Sequence, residues 1–133
     1  MGEDEMELRE SLLYWAEETF RTEREQPWAE YPHYTVLRRP DNRKWFAVLM
    51  RVTRQQLHLD GEGELDILNV KCDPVLIGGL RQREGFFPAW HMSKTHWISV
   101  ALDGTVAEEE LHELLFMSHA LAAGKARDRS PKS

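Results

Sequence analysis

Residues 44–53 read Lys44-Trp45-Phe46-Ala47-Val48-Leu49-Met50-Arg51-Val52-Thr53. Seven of the ten are apolar and none is glycine or proline, so the run reads as a strand long and apolar enough to lie at the centre of a sheet. On its N-terminal side, Arg39-Pro40-Asp41-Asn42-Arg43 has turn chemistry: proline fixes φ, and Asp and Asn accept turn geometry. Tyr34–Arg38 before that turn alternates as a partner strand. On the C-terminal side, Gln55–Leu59 reads as a third, short strand, Asp60-Gly61-Glu62-Gly63-Glu64 as a polar loop and Leu65–Lys71 as the next strand.

Helices flank this strand-rich middle. Residues 5–22 place Leu8, Leu12, Trp15, Ala16 and Thr19 on one stripe, with Glu10, Glu17, Glu18 and Arg21 facing water. Pro27 and Pro32 bracket an irregular linker. Asp73 has the character of an N-cap, with Pro74 at the first helical position, and a short helix follows to about Arg83, with Gly85 suited to its end. Phe86–Thr95 reads as an irregular connection and Thr95–Leu102 as a strand. Asp103-Gly104 is a turn, and Thr105 with Glu108 has the spacing of a capping box. The last helix runs to about Ala123 with Leu111, Leu114, Leu115, Ser118 and Leu121/Ala122 inward, and Gly124 closes it. The expected fold class is α+β: a two-layer sandwich, its antiparallel sheet covered on one face by the N- and C-terminal helices. One domain is expected over residues 1–124, with 125–133 a disordered polar tail.

With 133 residues, a chain buries about two thirds of its unfolded surface and needs no disulfide or metal to fold. The single cysteine, Cys72, excludes an intramolecular disulfide and fits a reducing, cytoplasmic setting. No apolar run approaches the ~18 residues of a membrane span, and the acidic N-terminus has no secretion-signal core. The net charge of −6 is unevenly spread. Residues 1–30 hold ten acids and three bases, residues 31–59 six bases and one acid, and residues 60–66 four acids. A basic face on an acidic protein is therefore expected near the middle of the chain.

The densest chemistry is Pro88-Ala89-Trp90-His91-Met92-Ser93-Lys94-Thr95-His96-Trp97, with two tryptophans, two histidines and a lysine in ten positions. This segment, together with Asn69-Val70-Lys71-Cys72-Asp73-Pro74, Leu80-Arg81, Leu102-Asp103-Gly104 and the Lys44-Trp45-Phe46-Ala47 strand start, resembles the MmcQ/YjbR family of small bacterial proteins. The resemblance covers roughly residues 31–123. It implies a CyaY-like, frataxin-type fold and DNA binding through a double-wing arrangement of β-hairpins, with no established enzymatic activity. Thr95 stands where the family often has a second lysine, which removes one cation from the candidate surface.

The expected function is that of a non-enzymatic binding module without cofactor or metal, favoured as a monomer. Its candidate residues are Arg38, Arg39, Arg43, Lys44, Lys71, Arg81, Trp90, His91, Lys94, His96 and Trp97. In a DNA-binding reading the cations meet phosphates and Trp90 or Trp97 stacks on a base. The alternative partner is a protein or small ligand, centred on Trp90, His91, Lys94, His96 and Trp97. The structural alternatives are a solvated hairpin for the arginines and, for Trp97, core packing under a helix: Trp97, Ser99 and Ala101 share one face, Ile98, Val100 and Leu102 the other, and the alternation leaves either set free to face the core. Cys72 near His91 or His96 supplies the residue types of a nucleophilic enzyme, but a buried thiol is usually inert. No His or Cys spacing of a zinc site is present.

Overall fold

The structure, a computed structural model, describes residues 2–124, with side chains from residue 8 onward. The expected polar tail at 125–133 lies outside the described residues. The elements are α1 (Gly2–Phe20), β1 (Thr35–Arg38), β2 (Trp45–Thr53), a 3-10 turn (Gln55–Leu57), β3 (Glu64–Lys71), α2 (Pro74–Leu80), β4 (Phe86–Pro88), β5 (Trp97–Ala101) and α3 (Glu108–Leu121). The five strands form one sheet in the order β1-β2-β3-β5-β4, with every neighbouring pair antiparallel. The chain meanders through β1, β2 and β3, crosses over through α2 to the far edge at β4, and returns as β5 to fill the gap. The 44–53 run is indeed an interior strand, paired with β1 on one side and β3 on the other.

Both faces of the sheet are apolar, and they are covered differently. Against one face pack Leu12, Leu13, Ala16 and Phe20 of α1 and Leu111, Leu114, Leu115 and Ala122 beside or within α3, meeting Phe46, Leu49, Leu68, Val70, Ile98 and Val100. Against the other, Val36, Val48, Met50, Val52, Ile67 and Trp97 form a second cluster with Leu57 and Ala89. Its cover comes from loop residues: Trp28, Tyr34, Leu59, Trp90 and Met92. A bulge opposite Arg38, where Arg38 pairs with Trp45 and Leu37 with Ala47, breaks the alternation of β2. It leaves Phe46 and Ala47 together on the helix-covered side and sends Trp45 to the other.

Ser118 explains why a polar residue sits in the inward stripe of α3. Its hydroxyl donates to the Phe46 carbonyl at 2.6 Å and accepts from the Lys71 amide at 2.8 Å, pairing two backbone groups beneath the helix. Arg9 is a second buried polar residue on a helix. It is 7% exposed and held by Asp66 at 2.9 Å, which Arg51 also contacts at 3.0 Å.

Four local readings need correction. Gln55–Leu59 is not a strand: the Gln56 side chain accepts from the Thr53 amide at 2.8 Å, the Thr53 hydroxyl accepts from the Gln56 amide at 3.1 Å, and this reciprocal pair turns the chain into the 3-10 turn. Phe86–Thr95 is not wholly irregular, because Phe86–Pro88 pairs with β5 as a short edge strand, a position that tolerates proline. The Thr105–Glu108 capping box does not form. Ala107 is the N-cap without a side-chain bond, while three glutamates in the first turn complement the helix dipole. Thr19 is exposed, and Leu13 and Phe20 take its place inside. Asp73 caps α2 as expected, accepting from the Val75 amide at 3.0 Å.

Candidate functional site

The basic turn is tied to the end of α3. The last carbonyls of a helix have no partner within it. Arg39 donates to the His119 carbonyl at 2.7 Å, and Asn42 donates to the Ala122 carbonyl at 2.9 Å. Lys44 reaches the same end, where a Cβ on Gly124 would lie 2.8 Å from its Nζ. Cations and amide donors at this position also offset the negative end of the helix dipole. The remaining charges are paired locally. Glu25 takes both Arg38 and Arg43, one on each oxygen, at 3.0 Å, and Asp41 takes Arg39 in a two-point contact at 2.9 and 2.7 Å. These contacts hold the Glu25 carboxyl below its ordinary range and the Asp41 carboxyl down at about 2.

His119 completes this cluster. It stacks on Phe20 at 4.4 Å, and its Nδ1 lies 3.0 Å from an Arg39 nitrogen that can only donate. Nδ1 is therefore the acceptor. Burial first, and then the Arg39 charge, hold its pKa below the ordinary histidine value.

Of the other sequence candidates, Lys71 lies near enough to the turn to feel the Lys44 charge, and the rest have no contact with it among the described residues. Lys71 lies over the Trp97 ring at 5.0 Å, and its pKa is lowered by burial and then by Lys44. Trp97 is 7% exposed and belongs to the loop-covered face, not to a site beneath a helix; Ile98 and Val100 face the helices. Arg81, His91, Lys94 and His96 are exposed. Among the described residues Arg81 and Lys94 join no ion pair. The His96 carbonyl accepts from the Cys72 amide at 2.9 Å, while the Cys72 thiol is buried, with its pKa raised by burial and then by Asp73. Among the described residues, no group of three His, Cys, Asp or Glu side chains could hold a metal ion.

The Trp90–Trp97 segment crosses the loop-covered face and is pinned there by a buried polar chain. The Trp90 amide donates to Ser99 Oγ at 2.9 Å, Ser99 Oγ donates to Asn69 Oδ1, and Asn69 Nδ2 donates to the Val48 carbonyl at 3.3 Å. Ser99 and Asn69 have no exposed surface. This anchor sets the next two residues. His91 takes φ of +61°, uncommon for residues other than glycine, and its ring meets Trp90 edge-to-face at 4.8 Å. The Trp90 Nε1 proton is buried without a partner.

Beyond the anchor the face opens into a pocket of about 260 Å³, lined by Trp28, Tyr31, Tyr34, Trp45, Val48, Met50, His91 and Met92. Trp28 stands perpendicular to both Trp45 (5.8 Å, 90°) and Tyr34 (6.0 Å, 86°), and Tyr31 stacks on Tyr34 at 5.0 Å. Burial, followed by Tyr31, raises the Tyr34 pKa and keeps the phenol neutral. Of the sequence candidates only His91 lines this pocket. Reading the stretch bracketed by Pro27 and Pro32 as an irregular linker missed Trp28 and Tyr31, although three aromatics in seven residues, Trp28 to Tyr34, were a usable signal.

The YjbR family model matches residues 18–121. The chain belongs to the YjbR family. It is 41% identical over 116 residues to the uncharacterized protein YyaQ of Bacillus subtilis, covering 87% of this chain and 98% of that one. A crystal structure of a Pseudomonas syringae protein superposes with a TM-score of 0.83 at 36% identity, covering 86% of this chain and 97% of the other. A crystal structure of a Deinococcus radiodurans protein with a DUF419 domain gives 0.58 at 28% identity, covering 79% and 70%. No helix among the described residues of this YjbR-family chain is long and apolar enough to cross a membrane.

Proposed function

We propose that this YjbR-family protein is a non-enzymatic binding module whose site is the aromatic pocket on the loop-covered sheet face. The observation that carries the reading is the pocket itself: four aromatic rings and two methionines around about 260 Å³ of open, apolar space. Ligand sites are typically concave and mostly apolar with a few polar groups, over ~300–1,000 Å³. This one lies just below that range and suits a compact group more than an extended molecule. The buried thiol, its pKa raised, argues against a Cys72 nucleophile. A thermal-shift screen against small apolar and aromatic solutes tests the reading. Hits should stabilise the wild type and lose that effect in the Tyr31→Ala, Met92→Ala double variant. A screen with no hits, or hits indifferent to the double variant, would sink it.

DNA binding is the second reading. Exposed Arg81 and Lys94 favour it, since neither joins an ion pair among the described residues. Arg38, Arg39 and Arg43 of the basic turn are engaged with Glu25, Asp41 and the end of α3, which reduces what they can offer to phosphates, while exposed Lys44 joins no ion pair among the described residues. Fluorescence anisotropy with a short duplex at 50 and 200 mM salt decides between the two. Each phosphate contact contributes a slope of about −0.9 in log K against log salt, so even two contacts give a loss of roughly tenfold over that range. Salt-sensitive binding at micromolar protein would favour DNA over the pocket reading.

A further inference from the structure

From the arrangement of the rings we infer that the pocket takes a compact methylated ammonium group, held by cation–π contacts. The inference rests on the pocket being the site and names its ligand class. Trp45 and Tyr34 both stand at right angles to Trp28. Parallel plates would suit a flat ring; perpendicular rings make a corner, where a rounded group can meet several π faces. Aromatic cages of this kind recognise quaternary ammonium groups, because each face carries partial negative charge and the methyl shell costs little to dehydrate.

The surroundings agree in charge. No carboxylate, lysine or arginine lines the pocket, so an anionic ligand would find no cation there. The turn that carries Trp28 and Tyr31, closed by the Tyr31 amide bonding to the Trp28 carbonyl at 3.0 Å, also carries the exposed Glu30. Among the described residues Glu30 joins no ion pair. One cation lies close to the lining: the Arg38 guanidinium is 5.6 Å from the Trp45 ring centre. Its charge is met by Glu25 at 3.0 Å.

The test compares choline with 3,3-dimethyl-1-butanol, a neutral molecule of the same shape, by titration of the full chain and observation of the Trp28 and Trp45 indole N–H signals. Choline should bind about tenfold more tightly than the alcohol. Tyr31→Ala removes an exposed ring, so folding survives, and should cut choline affinity several-fold; Glu30→Gln should cut it about twofold. A trimethyllysine tripeptide beside free choline tells a chain-borne source from a free one, and cation selectivity in either supports the inference. Equal or tighter binding of the alcohol would overturn the cation assignment and leave the pocket reading standing. Silence from choline, the peptide and the alcohol alike, with no hits in the thermal-shift screen, would overturn both.

Discussion

Ser99→Ala tests whether the buried polar chain holds the 89–96 loop in place over the sheet. The substitution removes one hydroxyl from a side chain with no exposed surface. It leaves the Trp90 amide without its acceptor and Asn69 Oδ1 without its donor. A buried polar group deprived of its partner costs about 1–3 kcal/mol. Asn69 cannot reach water, whereas the half-buried Trp90 can do so if the loop lifts, so the total should come to about 2–4 kcal/mol rather than the upper sum. Asn69→Ala should cost a similar amount, and the double variant should show a coupling of about 1–2 kcal/mol, because both sites belong to one chain of bonds. Urea unfolding with linear extrapolation gives the energies, and hydrogen exchange at the Trp90 amide locates the opening. His91 and Met92 follow directly on Trp90, so any pocket ligand should also bind less tightly. A cost below about 0.5 kcal/mol, or single costs that simply add, would refute the claim that this chain anchors the loop.

Three further outcomes are expected. Asp66→Ala should destabilise by about 3–5 kcal/mol in urea, because it leaves the nearly buried Arg9 guanidinium without a counter-charge, held only by the His33 carbonyl and the Thr35 hydroxyl; a loss under 1 kcal/mol would mean that those neutral partners and water suffice. His119 has a lowered pKa in the folded state, so the unfolded chain takes up the proton first. Stability from this residue should be complete above the unfolded value near ~6.5 and fall as pH drops through the folded value, and His119→Gln should flatten urea midpoints between pH 7 and 5.5; an unchanged slope contradicts this. Cys72 should react with a thiol reagent only after unfolding, and rapid labelling of the native protein would reopen the nucleophile reading.

The sheet and helices were legible because their signals are local. The apolar run at 45–52, the alternation of Ile98 and Val100, and the stripe Leu111, Leu114, Leu115 each fix an element and its inward face. Two matching capping patterns show the limit of such signals. Thr53 with Gln56 forms its reciprocal pair and was read as strand, while Thr105 with Glu108 has the same spacing and forms none. What distinguishes them is where the chain goes next, and spacing does not encode that. The role of the basic turn was illegible for a related reason. Arg39 and Asn42 meet carbonyls 80 residues further along, and Glu25 reaches Arg38 and Arg43 from 13 and 18 residues away, between the first helix and the Pro27–Pro32 linker. A cluster of arginines looks alike in sequence whether it awaits phosphates or closes a helix. The pocket was missed because β2 was read only as a central strand, although the bulge at Arg38 turns Trp45 to the side where Trp28 meets it, with Tyr34 packed on Trp28.

The central claim is that the loop-covered face, and not the basic turn, is the binding surface. Mapping amide and indole shifts across the labelled chain during a fragment titration tests it most directly. The account predicts shifts gathered on Trp28, Tyr31, Tyr34, Trp45, Met50, His91 and Met92, with Arg38 to Lys44 quiet apart from the edge nearest Trp45. Shifts centred on Arg39, Asn42 and Arg43, with the indoles of Trp28 and Trp45 unmoved, would contradict it.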